Sequence, residues 1–337
     1  MAFQFTRSWG RAILPVAALA AGIAAIQAPA FAQDFPTRPI KFIVPFSPGG
    51  SSDLVARLLA RDAEKYLGQP LIIENRPGAA AMIGLNELVQ AKPDGYTIGI
   101  TNSGMVTQPL YGIAKYNYVT DLQALAQVGE VPFVLCVKTD SEFKTLEDFI
   151  AYAKANPNAI SYGITGIGNT SHIGPEHLRF LAKFPMEAVN FSGGGELITS
   201  LLGGHIQAGG INPVDIREQV KAGKIRVLAL FGEKRLTDPL FANVPTAKER
   251  GFNVVVTLWQ GIGAPKNIPE AVRAKLAGAF EKIMASKETQ NALRGMGLDP
   301  IYMGPTDFSR KWVDEQAHYK QVVTDTGILK MVRSQTK

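Results

Sequence analysis

Four short stretches concentrate the residues that could handle a small molecule. They are Phe46-Ser47-Pro48-Gly49-Gly50-Ser51-Ser52-Asp53, Thr101-Asn102-Ser103-Gly104, Thr165-Gly166-Ile167-Gly168-Asn169-Thr170-Ser171-His172 and Phe191-Ser192-Gly193-Gly194-Gly195. Glycine lets a backbone approach a ligand closely, and Ser, Thr and Asn supply hydrogen-bond donors. Where a helix follows, its free N–H groups and its dipole favour an anion. None of the four stretches contains Lys or Arg. Sites for phosphate or polyanions commonly carry an Arg fork or a Lys, so amide and hydroxyl donors point instead to a carboxylate held reversibly. Asp53 has two readings: a helix-start carboxylate stabilised by the dipole, or a contact to a ligand amine or hydroxyl.

Enzyme chemistry finds less support in the same residues. The stretch from Gly49 to Asp53 lacks the lysine of a P-loop, and Gly166 to Ser171 opens like a dinucleotide fingerprint without its third glycine. There is no G-x-S-x-G elbow. His172 and His177 are five residues apart, not the four of a helical zinc pair, and neither metal nor cofactor is expected. A Ser-His-Asp triad assembles only in space. A secreted hydrolase or lyase using a loop serine therefore stands as the competing reading. Cys136 is the only cysteine. It excludes an internal disulfide, and its place in an apolar run at 133–137 makes it a buried structural thiol.

The elements that must position these loops follow from periodicity. Short apolar strands are expected at 40–45, 96–100, 160–164 and 187–190, one immediately before each stretch. In open α/β sheets ligands bind outside the carboxyl ends of the strands. A helix is expected at 54–67, with Leu54, Val55, Leu58, Leu59 and Ala63 on one face and Arg57, Arg61, Glu64 and Lys65 opposite. Further strands are expected at 71–73, 131–137, 206–211, 225–231 and 254–263. Helices are expected at 78–90, 145–156, 175–181, 196–202, 214–222, 270–285, 287–294 and 306–324. This alternation predicts an α/β fold with largely parallel sheets.

The N-terminus reads as a signal peptide, residues 1–32. Arg7 and Arg11 precede an apolar run, and Ala30-Phe31-Ala32 supplies the small-x-small cleavage pattern before Gln33. No cysteine lies near that point, so a soluble periplasmic protein is expected. Removing Arg7 and Arg11 lowers the formal charge from +6 to +4. With no basic block, nucleic acid is not an expected partner. The remaining length of roughly 305 residues predicts two domains: 34–132 with 254–337, and 133–253, joined by crossing strands with no tether.

An ordered set of motifs then resembles the Bug family, the periplasmic substrate-binding proteins of tripartite tricarboxylate transporters. The set comprises Phe35-Pro36-Thr37-Arg38-Pro39-Ile40, Val44-Pro45-Phe46-Ser47-Pro48-Gly49-Gly50, Glu74-Asn75-Arg76-Pro77-Gly78-Ala79, Pro93-Asp94-Gly95-Tyr96-Thr97, Val244-Pro245-Thr246 and Trp259-Gln260-Gly261. The resemblance implies a two-domain, type II flytrap fold that closes on a small carboxylate and delivers it, as a monomer, to membrane permease subunits. It places Pro48, Gly49, Gly50 and Ser51 at one ligand carboxylate and Asn102 and Ser103 at the side, and Phe46 and Asp53 are further candidate ligand contacts. Thr165, Gly166, Asn169, Thr170 and Ser171 fall at the other end, with His172 a further candidate and Ser192, Gly193 and Asn212 on the wall. The run Phe191 to Gly195 and the Asn212-Pro213 pair depart from the family pattern. A sensory co-receptor would use the same binding step.

Overall fold

The computed structural model describes residues 1–4, 35–191 and 193–335. The signal-peptide features at Arg7, Arg11 and Ala30-Phe31-Ala32, and Ser192, lie outside the described residues. The first half of the fold runs β1 (Ile40–Val44), α1 (Ser51–Leu67), β2 (Leu71–Asn75), α2 (Met82–Gln90), β3 (Thr97–Asn102), α3 (Gly104–Tyr111), α4 (Tyr118–Asp121) and β4 (Leu122–Pro132). The chain then makes β5 (Val134–Lys138), α5 (Leu146–Ala155), β6 (Ser161–Ile164), α6 (Thr170–Ala182), β7 (Glu187–Asn190), α7 (Gly194–Leu202), β8 (Ala208–Ile211), α8 (Pro213–Lys221) and β9 (Ile225–Leu230). It ends in β10 (Thr257–Pro265), α9 (Glu270–Met284), α10 (Lys287–Gly295), α11 (Pro305–Asp325) and α12 (Ile328–Gln335).

Two five-stranded sheets result, ordered β2-β1-β3-β10-β4 and β7-β6-β8-β5-β9. In the first, β1 runs parallel to β2 and β3, with Ile40 opposite Leu71 and Phe42 opposite Ile98. β10 lies antiparallel between β3 and β4. In the second, β6 runs parallel to β7 and β8 while β5 lies antiparallel between β8 and β9. Each sheet is therefore mixed, where the sequence predicted largely parallel ones. The reason is the crossing: each sheet takes its antiparallel strand from a segment arriving from the other.

Those crossings also explain the largest difference in element boundaries. The apolar run at 131–137 is not one strand; it is divided at Phe133 into β4 and β5, which belong to different sheets. At that point the Phe133 N–H donates to the Val256 carbonyl (3.0 Å), the Val256 N–H to the Phe231 carbonyl (2.8 Å) and the Phe231 N–H to the Phe133 carbonyl (2.8 Å). This three-cornered bond ring joins both crossings and replaces the ladder that continuous strands would have formed.

β1 is buried on both faces, with Ile40, Phe42, Ile43 and Val44 all within the core, as a strand covered by helices requires. α1 buries Val55, Ala56, Leu58, Leu59, Ala63 and Leu67. Leu54, expected on that face, is 42% exposed. Gly68 ends α1 in a left-handed conformation (φ 75°) and returns its N–H to the Glu64 carbonyl at 2.8 Å. α11 is fastened over the first sheet by aromatic packing. Trp259 on β10 meets Phe308 edge-on at 5.0 Å and stacks on Trp312 at 6.3 Å, and its indole N–H donates to Glu315 at 2.7 Å. Cys136 is fully buried against the Gly209 carbonyl (3.6 Å), and burial pushes its thiol up to about 12, so it is no nucleophile.

Two buried histidines, His172 and His177, and the half-buried His318 give the fold a pH dependence. His177 on α6 faces His318 on α11 with ring centres 5.7 Å apart. Burial pushes His172 and His177 down to about 4 and lowers His318 as well, and His318 depresses its neighbour further. The unfolded chain takes up these protons near 6.5. Their stabilisation is thus complete above about pH 6.5 and declines as pH falls toward 4. Glu315, pushed up to about 7 by burial against the pull of Lys311 and Trp259, acts in the opposite sense over part of that window. Denaturant unfolding at pH 7.5 and pH 5.0 should show a net loss on acidification. His177→Gln should remove on the order of 2 kcal/mol of that loss; an unchanged difference would contradict this account.

Candidate functional site

The parallel strands β1 and β3 are neighbours, as are β7, β6 and β8. Their carboxyl ends carry the loops singled out in the sequence, and the structure gives these loops two different constructions.

The β1–α1 loop is held from below. Asp53 is 1% exposed. Its carboxylate accepts the Gly49 N–H at 2.9 Å, two bonds from Arg57 at 2.9 and 3.1 Å, and one from the Asn75 amide at 2.9 Å. The same Asn75 amide donates to the Phe46 carbonyl at 3.0 Å. Burial alone would raise the Asp53 carboxyl, but Arg57, the Gly49 N–H and Asn75 outweigh it and hold it at about 2. Asp53 is thus engaged by the loop backbone, Arg57 and Asn75. Gly49 is left-handed (φ 83°), which a side chain would resist.

Above this support the first turn of α1 stays open. Gly50 is its N-cap and no side chain caps it. The leading N–H groups of a helix have no intrahelical partner, and here they sit beside exposed Pro48, Gly49, Gly50 and Ser51. The Ser52 hydroxyl turns inward and donates to Gln260 on β10 at 3.0 Å. Next door, the Gly104 N–H donates to the Asn102 side chain at 3.0 Å, and the Ser103 hydroxyl is buried without a partner.

The β6–α6 loop is closed by its own side chains. Asn169 accepts the Ser171 and His172 N–H groups at 3.0 and 3.3 Å and donates to the Thr165 carbonyl at 2.8 Å. The Ser171 hydroxyl accepts the Thr165 N–H at 2.9 Å and donates to Asn169. The His172 Nδ1 accepts the Gly168 N–H at 3.1 Å. Asn169, Ser171, His172 and buried Thr170 therefore build the loop, and Thr165, Gly166 and Ile167 form its half-exposed rim. This also explains why α6 starts at Thr170, five residues before the Pro175 where the sequence placed it. Asn212 likewise caps its own helix, accepting the Val214 N–H at 2.9 Å. α7 resembles α1: its N-cap, Gly193, makes no side-chain cap.

Two contacts tie the groups together. The Tyr111 hydroxyl, at the end of α3, donates to the Gly168 carbonyl, and a side chain at Gly168 would collide with Val332. α3, eight residues long, thus links the turn at Asn102 and Ser103 to the β6–α6 loop.

Sequence reasoning missed the turn after β2. Ala79, Ala80 and Ala81 all have left-handed φ (46°, 51° and 76°), and the Ala80 carbonyl accepts the Gln108 amide from α3. Only Gly78 hinted at a turn there. No helix of the described residues is long and apolar enough to cross a membrane, and they contain no group of three or more His, Cys, Asp or Glu that could hold a metal ion.

Two outcomes follow from this geometry. Asp53→Ala removes the acceptor of four hydrogen bonds and should lower unfolding stability by about 2–3 kcal/mol in denaturant titration. Ala80→Gly relieves a left-handed alanine on an exposed turn and should raise stability by about 0.5–1 kcal/mol; a lowered melting temperature would contradict the assigned conformation.

Residues 55–328 match the tripartite tricarboxylate transporter family receptor. The UPF0065 protein in the gbd 5' region of Cupriavidus necator is 34% identical over 325 residues, spanning 95% of this chain and 97% of that protein. Among solved structures, a TctC solute binding protein from Polaromonas superposes with a TM-score of 0.78 at 30% identity, covering 86% of this chain and 99% of the other. Two Rhodopseudomonas palustris structures, one with adipate and one of MatC with bound malate, give TM-scores of 0.74 and 0.69, each at 28% identity. They cover 87% and 86% of this chain and 99% and 100% of theirs. With this match over most of its length and the same two-domain α/β architecture, the chain belongs to the tripartite tricarboxylate transporter receptor family of periplasmic solute-binding proteins.

Proposed function

We propose that this receptor captures a small dicarboxylate with one carboxylate on the open first turn of α1 and the other toward the loops after β6 and β7. The observation that carries the reading is the uncapped N-terminus of α1 above a loop fixed by Asp53. The donors there are backbone N–H groups and the nearest cation, Arg57, is paired with Asp53, so the seat suits a carboxylate more than a phosphate. Adipate and malate, held by the two relatives, share paired carboxylates and differ in length and in a hydroxyl.

The domain limits we propose, 34–132 with 254–337 and 133–253, rest on the strand membership of the two sheets. A ligand touching loops of both domains favours the closed arrangement through contacts made only there. The exported chain, cleaved after Ala32, acts as a free monomer, has no nucleic-acid partner, and delivers its ligand unchanged to the membrane permease subunits. Against a serine hydrolase, the Ser52 and Ser171 hydroxyls donate to amide oxygens and not to imidazoles.

Gly50→Val tests the seat. Gly50 has an ordinary φ of −76°, and a Cβ there would meet only the Ser47 carbonyl at 3.6 Å, so the variant should fold. Calorimetry across aliphatic diacids, aromatic acids and acidic amino acids should identify a saturable ligand, recovered intact by NMR. Gly50→Val should weaken it by at least about 100-fold. Retained affinity would remove α1 from the site, and turnover would restore the enzyme reading.

A further inference from the structure

The β6–α6 loop takes one of its supports from the other half of the molecule. Tyr111 closes α3, which lies before the Phe133 crossing, and Gly168 lies after it. The Tyr111 hydroxyl donates to the Gly168 carbonyl. Tyr111 is only 5% exposed, and burial pushes its hydroxyl well above the ordinary range, so it stays a donor. The Gly168 N–H meanwhile donates to the His172 Nδ1 at 3.1 Å. One backbone group of Gly168 is therefore answered from α6 and the other from α3. Packing closes around the bond. A Cβ on Gly168, itself left-handed at φ 81°, would fall 2.7 Å from Val332 on α12 and 2.9 Å from the Tyr111 ring. α12 comes from the C-terminal segment, packs on α3 and α11, and buries Ile328 and Val332. Two separate stretches, α3 and α12, thus meet over a single residue of the β6–α6 loop.

A buried carbonyl needs a partner, and this one is supplied across the domain limits proposed above. If the halves swing apart, the Gly168 carbonyl loses Tyr111. The rim formed by Thr165, Gly166 and Ile167 belongs to the same loop, so its setting is tied to the arrangement of the halves. We infer that Tyr111 and Gly168 form a latch, made when the two halves stand together and broken when they part, that holds the β6–α6 rim against the bound diacid. This rests on the reading that the ligand touches loops of both domains. A bond made only in the closed arrangement shifts the population toward it. It slows ligand release and leaves capture unaffected.

Tyr111→Phe keeps the ring and removes the hydroxyl, and circular dichroism checks that it folds. Small-angle X-ray scattering should give the ligand-free variant a larger radius of gyration than the unaltered protein. Gly168→Ala wedges a methyl group into the same contact and should expand the molecule likewise; it decides the question should Tyr111→Phe fail to fold. With malate and adipate as probes, Tyr111→Phe should bind about three- to tenfold more weakly. Stopped-flow should place that loss in faster dissociation, and a saturating probe should restore the radius of the unaltered protein. A merely structural role would lower the melting temperature without a ligand-reversible expansion. A radius unchanged by Tyr111→Phe, or an affinity loss carried by slower association, overturns the latch. Failure of the ligand reading shows separately, as neither diacid binding the unaltered protein, and the scattering then still decides the latch.

Discussion

The ring of three backbone bonds among Phe133, Phe231 and Val256 is the constraint on which the rest depends. The chain passes between the sheets at this place, and each N–H in the ring finds its acceptor on a different segment. Buried backbone groups must be paired, so the crossings cannot drift apart without orphaning them. Both antiparallel strands, β5 and β10, leave from this ring, and with them the register of each sheet. The aromatic packing of Trp259, Phe308 and Trp312 and the Trp259–Glu315 bond then fasten α11 across the first sheet close by. A hinge between the halves, as the proposed closure requires, would turn about these crossings.

In the α1 seat proposed above, a carboxylate would help build a site for another carboxylate. A free Asp53 would repel an incoming anion. Buried and paired with Arg57, its charge is balanced at short range, and its remaining capacity fixes Gly49 and, through Asn75, Phe46. The loop is rigid before any ligand arrives, so less ordering opposes binding. The β6–α6 loop achieves the same rigidity by another route, through Asn169 and Ser171.

The glycine-rich stretches after β1, β3, β6 and β7 were legible because strand patterns and turn residues are local signals. So were the amphipathic face of α1 and the capping box of Thr145 and Asp148, which the structure shows complete. What the sequence could not convey was long-range. The break at Phe133 is set by Phe231 and Val256, far along the chain. The mixed sheets follow from that crossing. Asn169, Ser171 and His172 look like ligand donors in isolation, and their bonds to Thr165 and Gly168 have no signature in the sequence. Pro175 has the look of a helix start, yet the Asn169 cap begins α6 earlier. The left-handed alanines after Gly78 carry no residue-type signature at all.

Cys136 has a use that reaches beyond its packing. It is the sole thiol of the chain, fully buried and held protonated at any ordinary pH. Thiol-reactive labels attack thiolates, so they will pass it by in the native state. The natural protein is already a silent background for optical or spin probes. A pair of surface cysteines, one on each side of the Phe133 crossing, could report closure in real time without first removing a native residue.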